Sequence, residues 1–237
     1  MSSTIFQFKE FAIDQTHAAM KVGTDAIVLG SWTKIAEANT ILDIGTGTGI
    51  LSLMLAQRSD AEVINAVELD ENAYETAVTN FENSPWGDRL FCYHASIQEF
   101  AKEMDDTYDV IICNPPYFTH SDQVELTPRK IARTTHSLDF ETLLKNTRKL
   151  LSENGTFALS LPSESEKNFV ATAEKLGFHL QRILHVKDNE NAEIVRVFMQ
   201  LGLEINPLEE TVLVLKKEDK SYTDAFKDLT RDFYTIF

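Results

Sequence analysis

The chain has 237 residues, 43% hydrophobic and 25% charged, which is ordinary globular usage and excludes disordered or collagen-like classes. Its two cysteines are too few for a disulfide framework or a cysteine-built zinc site, which favours a reducing cytoplasm. No run approaches the roughly 18 apolar residues that a membrane span needs, and residues 1–11 lack a signal-peptide core. Length and composition predict one soluble cytoplasmic domain over residues 1–237.

The net charge of −15 comes from 22 basic and 37 acidic residues. Such a chain repels polyanions at long range, so RNA would have to be held by a local basic cluster or a shaped pocket. The densest basic cluster in the middle of the chain is Arg129, Lys130 and Arg133, in a long polar segment of the kind that often forms a functional loop. A small or cationic ligand is the alternative, since an acidic field attracts it.

The elements of the chain fall into two parts. In residues 1–38, alternating apolar residues predict a hairpin over residues 5–14, and Thr24 is expected to be the N-cap of the helix that follows. In residues 39–237, strands at 41–44, 63–67, 90–95, 110–113 and 156–161 are separated by helical segments. This cadence predicts an α/β fold with a mainly parallel sheet of seven strands. The β-rich tail, residues 178–215, predicts an antiparallel C-terminal edge.

A glycine loop joins the first of these strands to a helix. It has the sequence Asp43-Ile-Gly-Thr-Gly-Thr-Gly49, in which the glycines let the backbone turn and approach a ligand closely. The spacing is not that of a dinucleotide fingerprint, and no P-loop lysine follows. Glu68 ends the next strand, where a carboxylate can bind ribose hydroxyls, and Asp43 can reach an ammonium group directly or through water. An adenosine ligand with cationic groups and no phosphate fits, and S-adenosylmethionine is such a ligand.

A second motif, Asn114-Pro115-Pro116-Tyr117, follows the fourth strand. A nitrogen conjugated into a base or an amide is a poor nucleophile because its lone pair is delocalised. The Asn114 side-chain oxygen and the Pro115 carbonyl can accept hydrogen bonds from such an amine, while the prolines hold these acceptors still. Tyr117 offers a face on which a planar base can stack. The motif therefore predicts methyl transfer to an amine.

Residues 43–49, Glu68 and residues 114–117 together resemble the class I S-adenosylmethionine-dependent N-methyltransferases. The flanking segments 6–9, 20–32 and 222–234 resemble the bacterial family that methylates N6 of adenosine 37 in valine tRNA. The resemblance covers essentially the whole chain. It implies a Rossmann-like class I methyltransferase fold, S-adenosylmethionine as cofactor and tRNA as partner, with no metal, no membrane and a monomer or weak homodimer.

The resemblance also assigns site residues. It implies a catalytic set of Asn114, Pro115, Pro116 and Tyr117. It implies a cofactor-binding set of Lys21, Thr24, Asp25, Asp43, Gly45, Thr46, Gly47, Glu68, Leu69, Ser96, Ile97 and Asn114, in which the first three lie near the methionine end. Arg129, Lys130 and Arg133 are expected to contact RNA phosphates. Many relatives carry an Asp at the end of the third strand to bind the adenine amine, whereas this chain has Ala95-Ser96-Ile97 there, in which Ser96 could still accept a hydrogen bond.

Three other functions stay open at this point. Protein glutamine methylation uses the same tetrapeptide, although such enzymes usually carry a helical N-terminal domain. Guanine N2 methylation of RNA is a second, although those sites more often have Phe where Tyr117 stands. A noncatalytic RNA-binding protein on the same fold is a third, and the intact Asn114 and both prolines argue against it.

Overall fold

The computed structural model describes residues 4–16, 18, 20–35, 37–115 and 139–236. The strands in these residues are β1 (Ile5–Gln7), β2 (Ala12–Asp14), β3 (Thr40–Ile44), β4 (Val63–Glu68), β5 (Leu90–His94), β6 (Tyr108–Cys113), β7 (Leu151–Pro162), β8 (His179–Asn189), β9 (Ile194–Gly202) and β10 (Glu209–Lys216). The helices are α1 (Thr24–Trp32), α2 (Ile50–Arg58), α3 (Glu71–Glu82), α4 (Ile97–Glu103), α5 (Phe140–Leu150), α6 (Glu166–Lys175) and α7 (Asp224–Thr230).

The main sheet has the strand order β10-β8-β9-β7-β6-β3-β4-β5. All neighbouring strands are parallel except β9, which is antiparallel to both β7 and β8. The predicted α/β class, with a mainly parallel Rossmann-like sheet, is confirmed.

Two details of that prediction were wrong. The sheet has eight strands instead of seven, and its antiparallel strand lies inside the sheet instead of at its edge. The physical reason is that β8 and β9 form a tight hairpin which docks on β7 through β9, so that β9 lies between β7 and β8. The chain then crosses to the outer side of β8, where β10 pairs parallel and becomes the edge.

Helices cover both faces of the sheet, and each face has its own apolar core. The face of α4, α5 and α6 buries residues such as Phe157 and Phe169. On the face of α1 and α2, the core includes Phe8 from the N-terminal hairpin and Phe233 from the C-terminal segment. These two segments are also joined by backbone, since the Lys9 N–H donates to the Phe233 carbonyl at 3.0 Å. The hairpin and α1 therefore share a core with the rest of the described chain.

The start of α1 differs from the expectation. Gly23, with extended φ and ψ, is the N-cap, and Thr24 is the first helical residue. Glycine is itself an accepted N-cap, which is why a threonine one residue later misplaced the boundary. In the described part of the chain, no helix combines the length and apolarity that crossing a membrane requires.

Candidate functional site

The two sequence motifs meet at the carboxyl ends of β3 and β6. These parallel neighbours are in register at Ile44 and Cys113, so the glycine loop begins at Gly45 beside Asn114. From β3 the chain goes on to β4 on one side, and later returns to form β6 on the other. This is a topological switch point, the place where open α/β sheets bind ligands.

The glycine loop leaves an open cradle. Gly45, Gly47 and Gly49 all have positive φ, at 69°, 59° and 83°. A Cβ added to Gly49 would lie 2.5 Å from the Phe81 ring, so this glycine is required for packing. A Cβ on Gly45 or Gly47 would meet nothing within 4 Å. These two glycines therefore face space that a ligand can enter.

Glu68 holds the loop from the neighbouring strand. Its Oε2 accepts a hydrogen bond from the Gly47 N–H at 2.9 Å. Its Oε1 accepts from the N–H groups of Leu69 and Asp70 at 2.8 and 2.9 Å. A carboxylate can accept about four hydrogen bonds, so Oε2 keeps acceptor capacity at the loop. Glu68 is thus fixed by backbone donors in the position from which it can meet a ribose hydroxyl.

Asp43 is a fully buried carboxylate with one oxygen left over. Its Oδ2 accepts from the Thr46 and Ser52 hydroxyls at 2.6 and 2.8 Å and from the Ser52 N–H at 3.2 Å. Among the described residues, Oδ1 is buried without a hydrogen-bond partner. Burial, reinforced by the charge of Glu68, raises the pKa of Asp43 to about 6, against the hydrogen bonds that lower it. A buried anion with an unpartnered oxygen suits a cationic ligand.

Asn114 lies half-buried after β6, as predicted, and Pro115 follows it. The Asn114 Oδ1 accepts a hydrogen bond from the Ser160 hydroxyl of β7 at 2.5 Å. The other two residues of the predicted tetrapeptide, Pro116 and Tyr117, lie outside the described residues.

The predicted cofactor-binding residues Leu69, Ser96 and Ile97 follow the ends of β4 and β5. Leu69 is 48% exposed and Ile97 is buried, and the imidazole Nε2 of His94 lies 3.1 Å from the Leu69 carbonyl. Ser96 is the N-cap of α4, and its hydroxyl accepts from the Glu99 N–H. The Glu99 carboxylate in turn accepts from the Ser96 hydroxyl at 2.7 Å and the Ser96 N–H at 3.0 Å. These bonds hold the pKa of Glu99 below its ordinary value. The Glu99 carboxylate therefore accompanies Ser96 at the start of α4.

β2 and the start of α1 each contact the main sheet or the glycine loop. The Asn80 amide of α3 accepts from the Asp14 N–H and donates to the carbonyls of Asp14 and Thr48, which ties β2 to the glycine loop. Asp25 pairs with Arg196 of β9 at 3.0 Å. Of the predicted residues, Thr24 and Asp25 are thus the first two residues of α1, and Lys21 precedes that helix.

Four of these contacts were not predicted from the sequence: those of Ser160, Asn80, Arg196 and Glu99. Ser160 gives a weak signal, because it is a polar residue within the apolar run of residues 157–161. Glu99 gives a clear signal, because Ser96 and Glu99 have the Ser-x-x-Glu spacing of a capping box. Asn80 and Arg196 give none, since their partners are set by tertiary packing. The predicted RNA-contacting residues Arg129, Lys130 and Arg133 lie outside the described residues.

The order of the side chains along the sheet edge fits an S-adenosyl ligand. Asn114 at β6, Asp43 and the open glycines at β3, Glu68 at β4 and Ser96 beyond β5 follow one another across neighbouring strands. In a ligand lying along this edge, a reacting group, a cationic group, a ribose and a base would meet these residues in turn. In the part of the chain that the structure describes, no cluster of three His, Cys, Asp or Glu side chains could hold a metal ion.

The cradle can be tested with a pair of glycine substitutions. Gly47 has φ 59° and Gly177, at the end of α6 and far from the site, has φ 82°; both have open space around an added Cβ. Gly47→Ala and Gly177→Ala should each cost about 1 kcal/mol of folding free energy, because alanine is strained at positive φ. We expect only Gly47→Ala to weaken S-adenosylmethionine binding, by about tenfold, as measured by titration calorimetry. Equal affinities for the two variants would contradict a cofactor cradle at Gly47.

This fold and site define the class of the protein: the residues fit the methyl donor of the class I S-adenosylmethionine-dependent methyltransferases. The methyltransferase small domain family matches residues 16–165 of the chain. A predicted O-methyltransferase from Agrobacterium tumefaciens has a similar structure, with a TM-score of 0.68, 18% sequence identity and coverage of 88% of this chain and 96% of its own. At that identity the likeness supports the fold alone.

Curated relatives give a finer match. The tRNA1(Val) (adenine(37)-N6)-methyltransferase of Flavobacterium psychrophilum is 42% identical over 97% of this chain and 99% of its own length. The enzyme of the same name from Flavobacterium johnsoniae is 44% identical over 97% of this chain and 99% of its own. The chain belongs to the family of the tRNA1(Val) (adenine(37)-N6)-methyltransferases.

Proposed function

We propose that the protein transfers a methyl group from S-adenosylmethionine to the N6 amine of adenosine 37 in valine tRNA. The observation that carries the proposal is the register of β3 and β6, which places Asn114 beside the cofactor cradle. The full-length relationship to enzymes named for this reaction supports the substrate.

The substrate amine is handled by the residues that follow β6. The adenine N6 donates its hydrogen atoms to the Asn114 Oδ1 and to the Pro115 carbonyl. These two hydrogen bonds reduce the delocalisation of the nitrogen lone pair into the ring and direct it at the cofactor. We propose that Pro116 keeps the turn rigid and that Tyr117 stacks on the adenine, which has to leave its neighbours in the RNA to reach the site.

The cofactor is held by the chain's own donors and acceptors. When bound, S-adenosylmethionine supplies a methyl group made electrophilic by a sulfonium. Asp43 supplies the negative charge that matches its cationic groups, and Gly45, Thr46 and Gly47 surround it with backbone. Glu68 would bind the ribose hydroxyls, and Leu69, Ser96 and Ile97 would hold the adenine. Lys21, Thr24 and Asp25 would lie near the methionine end or close over the cofactor.

The substrate-binding surface has to work against the net charge of −15. We propose that Arg129, Lys130 and Arg133 contact RNA phosphates near the target base, so that affinity for tRNA falls steeply as salt rises. The remaining proposals are that residues 1–237 act as one domain, as a monomer or weak homodimer without a metal, and in the cytoplasm.

The proposal is tested by supplying the purified protein with labelled S-adenosylmethionine and bulk tRNA that lacks the modification. Digestion and mass spectrometry of the nucleosides should show N6-methyladenosine. Finding N2-methylguanosine instead would assign the protein to guanine methylation. Label that enters only protein would assign it to glutamine methylation, and cofactor binding without any transfer would favour a noncatalytic protein.

A further inference from the structure

Ser160 lies next to Asn114 in the sheet. β7 is parallel to β6, with Leu159 in register with Cys113. Ser160 and Asn114 therefore occupy equivalent positions one residue further along their strands. The Ser160 side chain is fully buried, at 0% exposure.

Burying the Ser160 hydroxyl costs folding free energy, which its hydrogen bond to Asn114 offsets. Residues 157–161 otherwise consist of Phe157, Ala158, Leu159 and Leu161, all buried and apolar. A buried hydroxyl in such a strand destabilises the fold unless it is hydrogen-bonded. The Ser160 Oγ donates to the Asn114 Oδ1 at 2.5 Å, which is a short bond.

This bond acts on the orientation of the Asn114 amide. The torsion that orients an asparagine amide is broad, so the side chain alone does not hold its plane. An amide oxygen has two lone pairs in that plane. When Ser160 occupies one of them, the direction of the second is fixed. A preorganised acceptor is what a reaction that depends on the direction of one lone pair needs.

We propose that Ser160 is a positioning residue, which holds the Asn114 amide so that its second lone pair accepts the substrate amine. The inference rests on the proposed methyl transfer to an amine. Ser160 acts through Asn114 and does not touch the substrate.

The test compares Ser160→Ala with Ser160→Thr, which keeps the hydroxyl. Ser160→Ala should lower kcat by about 30-fold, because small misplacements of reacting groups cost up to about 100-fold. The KM for tRNA and the Kd for S-adenosylmethionine should stay within about twofold, and Ser160→Thr should recover most of kcat. The matched control is Thr156→Val on the same strand, which removes a hydroxyl that accepts from Gln200 at 2.8 Å. It should leave kcat unchanged.

A double substitution distinguishes positioning from a loss of folding. If Ser160 acts only through Asn114, adding Ser160→Ala to Asn114→Ala should cause no further loss of kcat. A kcat for Ser160→Ala within twofold of the wild type would overturn the inference, as would a further loss in the double variant. So would a lowered kcat that Thr does not restore and that weaker cofactor binding accompanies.

The same assays separate this inference from the proposed function. If the wild type methylates tRNA and Ser160→Ala does so equally well, the positioning role fails and the function stands. If the wild type methylates only glutamine side chains and Ser160→Ala loses that activity, the tRNA function fails and the positioning role stands. A wild type that methylates nothing contradicts both.

Discussion

Asn114→Ala is expected to lower kcat by about a thousandfold, the upper range for removing one preorganised hydrogen-bonding group from an active site. The variant leaves the glycine loop, Asp43 and Glu68 in place, so the Kd for S-adenosylmethionine should change by less than about threefold. Steady-state methylation of tRNA at saturating cofactor measures the first quantity, and titration calorimetry measures the second. A large loss of kcat with an almost unchanged Kd is the result expected if Asn114 accepts hydrogen bonds from the substrate amine.

Asn114→Asp provides the comparison for this prediction. Aspartate keeps an acceptor oxygen for the amine and an acceptor for the Ser160 hydroxyl, so it should retain more activity than alanine does. If alanine and aspartate were equally inactive, the acceptor oxygen would not be the feature that matters. Wild-type activity in Asn114→Ala would remove Asn114 from the mechanism.

Asp43→Asn should weaken the binding of S-adenosylmethionine by about 30- to 100-fold, since it removes a buried charge that matches a cation. The same substitution should make the ligand-free protein more stable at pH 7.5. Burial raises the pKa of Asp43 from its ordinary value of 3.8 to about 6 in the folded protein, so keeping it ionised costs about 3 kcal/mol. Even a gain of 1 kcal/mol would raise Tm by about 2–4 °C.

The raised pKa of Asp43 also predicts how the stability of the ligand-free protein changes with pH. Because the folded pKa is the higher one, the folded state binds the proton more tightly than the unfolded state. The stability that Asp43 contributes is therefore complete below pH 4 and is lost as pH rises through about 6. The advantage of Asp43→Asn in urea unfolding should accordingly grow between pH 4 and 7. The cofactor affinity of the wild type should fall below pH 6, whereas that of the variant should not.

Asp109→Asn is a matched control, because Asp109 is a partly buried carboxylate at the opposite end of β6. It accepts from the N–H groups of Asn39 and Thr40 at 2.9 and 3.1 Å. It should leave cofactor affinity unchanged. An Asp43→Asn variant that binds S-adenosylmethionine as the wild type does would contradict the role of Asp43.

The core of the site could be predicted from the sequence because its residues are close to one another along the chain or follow directly from strand ends. The glycines mark a turn that needs positive φ, and the structure has all three in that region. Glu68 ends β4 and Asn114 follows β6, the two parallel strands on either side of β3, and topology alone brings such strand ends to one edge. These positions depend on local backbone rules and on the cadence of strands and helices.

The remaining features depend on packing that no short pattern records. Ser160 and Asn114 are distant in sequence, and only the order of β6 and β7 joins them. The same holds for Asn80, which links the hairpin to the glycine loop. The interior position of β9 follows from where the β8–β9 hairpin docks, and either edge of that hairpin could have paired with β7.

The most direct test of the proposed reaction uses two transcripts of valine tRNA that differ only at position 37. The wild-type protein should transfer one labelled methyl group to the transcript with adenosine 37, recovered as N6-methyladenosine, and none to the transcript with guanosine 37. Equal labelling of both transcripts, or labelling of neither, would contradict methylation of adenosine 37.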